Sequence, residues 1–146
     1  MPTMFALPWR WTNASRPARG VVFASRFDAK GLRQRWILFA AGIRLRGAVL
    51  ASPGALGVSL RAHVIAGRFY TLSMWQDEAS LLCFAGGVAH REAANRISSQ
   101  GPVRGVLVSR PGDSSRPPWG EIRRWVATAQ PGPYRQDSAP ARVVGH

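Results

Sequence analysis

Several residue types that would point to a particular chemistry are scarce in this sequence. It contains one cysteine, Cys83, which excludes an internal disulfide and a zinc cluster built on cysteines. We expect this thiol to be a small buried hydrophobe. Asp and Glu together number only 7, too few for a site built readily from paired carboxylates. The three histidines, His63, His90 and His146, lack the spacing of a metal motif.

Long apolar runs and the common catalytic signatures are also absent. The longest apolar run in the middle of the chain covers residues 36–43, and arginines flank it closely, so it is too short to cross a bilayer. No secretory apolar segment is visible near the N-terminus. There is no Gly-x-Ser-x-Gly elbow and no phosphate-binding Gly-Lys motif. We therefore expect a soluble, cytoplasmic protein without a transmembrane segment.

Negative charge is scarce relative to positive charge. The formal net charge is +13, and 19 of the 20 basic residues are arginines, with Lys30 as the exception. Such a balance is compatible with a nucleic acid, an anionic small molecule or a membrane surface as partner. The arginines are scattered and no nucleic-acid-binding signature is present, so nucleic acid is the less favoured partner. A basic nucleic-acid or membrane binder is kept as a third hypothesis.

Length and composition predict one folded domain with two terminal extensions. The 146 residues are 46% hydrophobic, enough for a core. Residues 1–19 combine prolines with two tryptophans and show no period, which predicts an irregular N-terminal arm. Residues 20–129 form the predicted domain. Residues 130–146 are rich in Pro, Gly and Ala, which predicts a flexible tail.

Within the domain, turn residues separate segments that alternate between strand and helix patterns. Asp77 is a good N-cap for the second helix. The predicted elements are a strand at 20–27, a helix at 32–51, a hairpin of strands at 55–64 and 68–75, a helix at 78–97, a strand at 103–110 and a helix at 118–129. The order βαββαβ predicts an α+β, ferredoxin-like fold with a four-stranded antiparallel sheet, two helices on one face and an additional C-terminal helix.

The apolar residues of these elements suggest how the fold is covered. In the first helix, the residues spaced as one apolar stripe are Leu32, Trp36, Phe39, Ile43 and Leu50. The strand at 68–75 is apolar on both faces, with Leu72 on one and Trp75 on the other. A sheet buried on both faces in so small a chain predicts a homodimer, with two sheets packed face to face.

The second predicted helix places a histidine on its inner face. At about 100° per residue, one arc holds Ala79, Leu82, Cys83, Gly86, His90, Ala93 and Ile97. Gly86 would leave space for a ligand one turn before the imidazole. His90 is then either a core histidine bonded to a backbone carbonyl, or a pocket residue that acts as general base or metal ligand.

The two strands of the predicted hairpin offer further candidates. Trp75 shares a strand face with Phe69, Thr71 and Ser73, either as core or as pocket lining. Arg61 lies on a strand face where it either meets an anionic ligand or faces water at an edge.

Two segments, residues 70–79 and 84–90, resemble the dimeric α/β-barrel superfamily, which includes the antibiotic biosynthesis monooxygenases and their haem-handling relatives. A Ser-x-Trp strand end is followed by an Ala-rich helix, a Phe-Ala pair and a His. The similarity covers roughly residues 20–112. Within the superfamily, the sequence most resembles the spheroidene monooxygenase type. Where cofactor-independent members have an Asn before the tryptophan and a Tyr after it, this sequence has Thr71 and Leu81.

The resemblance implies a monooxygenase-like protein that acts on a large apolar or aromatic substrate, including a polyene, in an enclosed pocket. The resemblance implies either a haem that His90 ligates or a protein without a cofactor. The alternative is a non-catalytic ligand-binding or accessory protein of the same fold. The implied catalytic residues are His90 and Trp75. The candidate substrate contacts are Phe69, Thr71, Ser73, Gly86 and Arg61.

Overall fold

A central antiparallel sheet with helices packed against it forms the α+β fold of the chain. The computed structural model describes residues 4–63, 65–98, 104–113, 115–127, 132–133 and 141–142. The long strands are β1 (Met4–Trp11), β2 (Arg19–Asp28), β3 (Ala55–His63), β4 (Arg68–Trp75) and β5 (Arg104–Asp113). The helices are α1 (Gly31–Leu50), α2 (Glu78–Ala85), α3 (Val88–Ser98) and α4 (Trp119–Ala127). Two short strands, β6 (Gly132–Pro133) and β7 (Ala141–Arg142), follow.

The strand order confirms the predicted fold class. The long strands lie in the order β1-β3-β4-β2-β5 and each neighbouring pair is antiparallel. The four strands from β3 to β5 have the arrangement of a ferredoxin-like sheet. β6 and β7 both pair with β5. Apart from these two short strands, the predicted tail at 130–146 lies outside the described residues.

The predicted irregular arm is wrong where the structure describes it, because β1 pairs with β3 as an edge strand. Pro8 has no backbone N–H to donate to a neighbouring strand. It is tolerated here because an edge strand has a neighbour on one side only. The register shifts between Leu7 and Arg10, so β1 has one more residue there than β3. Because side chains alternate between faces, the extra residue places Phe5 on the α1 side of the sheet and Trp9 on the other.

Helix α1 packs on the sheet with a different face from the one predicted. Its buried residues are Gln34, Leu38, Ala41 and Val49. Leu32 and Trp36 of the predicted stripe are 68% and 65% exposed. The helix is apolar on two opposite faces, and the spacing of residues alone does not show which face meets the sheet. The buried Gln34 is satisfied, since its Oε1 accepts a hydrogen bond from the Lys30 amide at 2.6 Å.

The helix predicted at 78–97 is two helices, separated at Gly86 and Gly87. Asp77 caps the first as predicted, and its Oδ1 accepts a hydrogen bond from the Ser80 amide at 2.8 Å. The break changes the phase of the helical wheel, so Leu81 is buried in α2. Cys83 is exposed, and its prediction as a buried hydrophobe is wrong.

The second face of the sheet is covered by the chain itself. Helix α4 buries Ile122, Trp125 and Val126 against that face, and tryptophans from β1 pack around the same cluster. Arg110 on β5 holds the helix in place: its guanidinium pairs with Glu121 at 2.6 Å and lies 4.5 Å from the Trp125 ring. The sheet residues covered in this way are Val22, Ala24, Leu56, Leu72, Met74 and Val108.

This coverage removes the reason for which a homodimer was predicted. The apolar residues of the second face are buried within one chain, so two sheets can pack face to face only if α4 moves away. The homodimer itself stays a prediction. Among the described residues, no helix is both long and apolar enough to span a lipid bilayer.

Candidate functional site

A cavity of about 70 Å³ lies between the helical layer and the sheet. Its floor is formed by the strand residues that point toward the helices, and its walls come from α1, α2 and α3. Most of the lining is apolar. The lining residues are Phe23, Ser25, Phe27, Leu45, Arg46, Val49, Val58, Leu60, Thr71, Ser73, Trp75, Leu81, Phe84, Ala85, His90, Ala93, Ile97 and Leu107.

The floor carries a short polar row. Alternate residues of β4 point into the cavity, which places Thr71, Ser73 and Trp75 on the same face. Ser25 lies opposite Thr71 in the register, and the two hydroxyls are hydrogen-bonded to each other. Trp75 Nε1 donates to Ser73 Oγ at 3.0 Å. These polar groups form hydrogen bonds with one another, so the row is stable without a ligand and can still orient one that binds.

Aromatic rings connect the floor to the wall. The Trp75 and Phe84 rings lie 5.2 Å apart with a tilt of 34° between their planes. The Phe84 and His90 rings lie 5.8 Å apart, edge to face. Trp75 is fully buried and also packs with the core under α2. A flat apolar ligand in the cavity would therefore meet aromatic surface on one side.

His90 is the only described histidine in the cavity lining. It is half-buried on α3, and its Nδ1 is buried without a hydrogen-bond partner among the residues that the structure describes. Burial lowers the pKa of the imidazole from its usual value, and a hydrogen bond with the backbone of Ala85 opposes this effect. The lowered pKa favours the neutral form of the ring, in which one nitrogen carries a lone pair. The hydrogen bond with the Ala85 backbone agrees with the hypothesis of a core histidine, whereas the unpartnered Nδ1 agrees with that of a pocket residue.

Arg46 is a lining residue that sequence reasoning did not single out. It extends from α1 into the same cavity, and its Nε is buried with no hydrogen-bond partner among the described residues. None of the described residues that line the cavity is acidic. An unpaired guanidinium nitrogen there suits a ligand with an anionic oxygen. In the sequence Arg46 is one of several arginines beside an apolar run, and no local signal distinguishes it.

The structure brings together Thr71, Ser73, Trp75 and His90, as the sequence suggested, but it places other candidates elsewhere. Arg61 lies on the opposite face, with its guanidinium 4.8 Å from the Trp119 ring. Burial and neighbouring arginines lower its pKa.

The positions of two other candidates, Phe69 and Gly86, also differ from the prediction. Phe69 lines a second cavity of about 40 Å³ beside α1. Gly86 is exposed at the end of α2 and is not part of the lining.

In the conformation of this structure, the cavity beside His90 does not hold a haem unless its walls move apart. An engineered cavity of about 150 Å³ holds a benzene molecule, and a porphyrin is several times larger than benzene. The cavity beside His90, at about 70 Å³, is smaller than either requires. Among the described residues, no group of three or more His, Cys, Asp or Glu side chains is arranged to hold a metal ion.

Comparison with known proteins places the chain by fold. No protein-family model matches the sequence and no curated protein matches it. Among solved structures, a protein from Fusobacterium nucleatum assigned as a monooxygenase matches 66% of this chain at 9% identity and a TM-score of 0.56; the chain spans only 45% of that protein. The cofactor-independent oxygenase SnoaB from Streptomyces nogalater matches 62% of the chain and 91% of its own length at 15% identity and a TM-score of 0.50.

A haem-degrading enzyme from Listeria monocytogenes matches 71% of the chain and 68% of its own length at 15% identity and a TM-score of 0.51. These matches confirm the predicted resemblance at the level of fold: the chain has the ferredoxin-like architecture of the antibiotic biosynthesis monooxygenase-like proteins. The more specific resemblance to the spheroidene monooxygenase type stays a prediction. Fold alone does not define a reaction, so the chemistry is argued from the cavity.

Proposed function

We propose that this chain is a monooxygenase-like protein that uses molecular oxygen to oxidise a small aromatic compound with an acidic hydroxyl group. One observation carries the proposal: the buried, unpartnered Nδ1 of His90 lies in the wall of an apolar cavity. Similarity in fold to a protein assigned as a monooxygenase and to a cofactor-independent oxygenase supports it. No metal or haem is required.

The lining of the cavity includes a base, His90, and a partner for an anion, Arg46. The ligand's ring binds against Phe84 and Trp75, and its hydroxyl points to His90 Nδ1. The hydroxyl proton moves to the lone pair of His90 Nδ1. Burial lowers the pKa of His90, which favours the neutral imidazole but weakens it as a base, so the transfer depends on stabilisation of the anion that forms. Arg46 then stabilises the resulting oxyanion through its unpaired Nε. The anion is more electron-rich than the neutral phenol and reacts more readily with oxygen.

The reaction balances without an external reductant. A phenol and one O₂ give a quinone and one water: a ring C–H bond is broken, a C=O bond is formed at that carbon and the O–O bond is cleaved. The substrate supplies four electrons, so carbon is oxidised and both oxygen atoms are reduced. One oxygen stays on the ring, and the other leaves as water with the ring hydrogen and the hydroxyl proton held by His90.

The size of the cavity favours a compact substrate over the large polyene suggested by the resemblance. At about 70 Å³ it is smaller than the volume of about 150 Å³ that accommodates benzene. We therefore expect the wall formed by α2 and α3 to move outward on binding. Gly86 and Gly87 join these helices, and residues without side chains allow such a movement at little steric cost.

Oxygen consumption by the purified protein with a panel of phenols and naphthols tests the proposal. We expect one O₂ consumed per quinone formed. His90→Gln should lower the rate by about 10²- to 10⁴-fold, the usual contribution of a general base. His63→Gln is the matched control, because His63 lies near Tyr70 and outside the cavity lining. Equal rates for the two variants, or no oxygen uptake with any phenol, would refute the assigned reaction.

The non-catalytic alternative has its own supporting observation and its own outcome. Thr71 and Leu81 replace the Asn and Tyr of the cofactor-independent relatives, which favours binding without turnover. A phenol that quenches tryptophan fluorescence in a His90-dependent manner, without oxygen uptake, would identify a ligand-binding protein.

Titration with haemin tests whether the protein binds haem. A Soret band that disappears in His90→Ala would overturn the haem-free proposal.

A further inference from the structure

The outer face of α1 is apolar and exposed. It consists of Leu32, Trp36, Phe39 and Ile43, which we call the outer α1 face. Leu32 is 68% exposed, Trp36 65% and Ile43 44%. Phe39 is partly buried, and its ring contacts those of Trp36 at 6.2 Å and Phe5 at 4.9 Å. Contiguous exposed apolar side chains that polar residues border often mark an interaction surface.

Arginines border the outer α1 face along its length. At about 100° per residue, the face spans an arc of about 60°. Arg33 and Arg44 lie on one side of it, and both are exposed. Arg35 lies on the other side and is half-buried. The helix itself has no acidic residue. The surface therefore combines an apolar stripe with flanking positive charge and a tryptophan.

We propose that the outer α1 face docks the protein on an anionic lipid bilayer, with α1 lying parallel to the membrane surface. Apolar side chains would enter the boundary between headgroups and acyl chains, while the flanking arginines contact anionic headgroups. Trp36 suits this boundary, since its ring is apolar and its N–H is polar. The helix is not apolar enough to span the bilayer, so it remains in the interface.

Charge favours a lipid surface over a second copy of this chain as the occupant. A symmetric pair through this face would bring the arginines of both copies together with no acidic residue on either helix to neutralise them. The whole chain carries a net charge of +13, which also repels a second copy and attracts an anionic surface.

Co-sedimentation of the full chain with vesicles tests this docking. The vesicles contain phosphatidylcholine alone or phosphatidylcholine with phosphatidylglycerol. We expect strong binding to the anionic vesicles at low salt. Leu32→Gln combined with Trp36→Gln should lower the partition coefficient by about tenfold or more. Arg33→Gln should lower it by about fivefold on anionic vesicles only. Both substitutions fall on exposed side chains, and identical circular dichroism melts would show that the variants fold.

The matched controls replace residues of the same kind on other helices. Leu82→Gln changes an exposed leucine on α2, and Arg91→Gln an exposed arginine on α3; neither should change vesicle binding. The proposal is overturned if the wild-type chain does not sediment with anionic vesicles. It is also overturned if the paired Leu32 and Trp36 variant binds as tightly as wild type, which would indicate charge alone. A dimer in sedimentation velocity that Trp36→Gln dissociates, without vesicle binding, would show that a second copy occupies the face.

Discussion

Replacing Ile122 by alanine measures whether α4 covers the sheet in solution. Ile122 is fully buried between α4 and the second face of the sheet. The change removes three buried carbons, each contributing about 0.8 kcal/mol, and leaves a void in a packed cluster. The expected loss in the free energy of unfolding is about 3–4 kcal/mol, within the usual range for such truncations. That is a large part of the roughly 5–15 kcal/mol by which domains are stable.

Ile43→Ala is the matched control, because Ile43 is also helical but 44% exposed on the outer α1 face. Both variants gain the same helix propensity, so the difference between them reports burial. Urea denaturation should show a loss of about 1 kcal/mol or less for this control. If the protein were instead a face-to-face dimer with α4 displaced, Ile122→Ala would cost no more than Ile43→Ala. Equal midpoints, with light scattering of the wild-type chain showing a dimer, would refute the role assigned to α4.

Four further outcomes follow from the structure. Gly57→Ala should destabilise the fold by about 1–3 kcal/mol in urea denaturation, because its methyl group would overlap the ring of Trp9, 2.6 Å from Cε2; Gly47→Ala, with open space around it, should stabilise by about 0.5–1 kcal/mol. Ellman's reagent should modify exposed Cys83 as fast in the folded chain as in urea, and strong protection would contradict its placement. Because the folded pKa of His90 lies below its ordinary value of 6.5, the unfolded chain binds the proton more readily, so stability should fall as pH decreases below about 6.5; His90→Gln should flatten this dependence.

Strand positions and the order of elements could be predicted from the sequence because their signals are local. Alternation of side chains along 68–75 identified β4 and placed Thr71, Ser73 and Trp75 on one face, where they form the cavity floor. Asp77 marked the start of α2. The N-terminal strand was missed because prolines and an added residue near Pro8 break its alternation.

The helices show where local signals fail. α1 has two apolar faces, and only packing decides that Leu38 is inside and Trp36 outside. The glycine pair before α3 divides the predicted helix at 78–97 into two helices. The residues predicted to point inward therefore do so at His90 in α3 but not at Cys83 in α2. Arg46 became a candidate only when its buried Nε was seen without a partner beside the cavity.

By itself, the sequence determined the α+β fold and the β4 residues that share a face, because backbone propensity and the two-residue period act within a few residues of chain. Tertiary structure alone decided that α4 covers the second face of the sheet, that Arg61 lies away from the cavity and that Arg46 joins His90 there. The reason is physical: burial and the pairing of polar groups depend on residues distant in sequence, and only the folded chain brings them into contact.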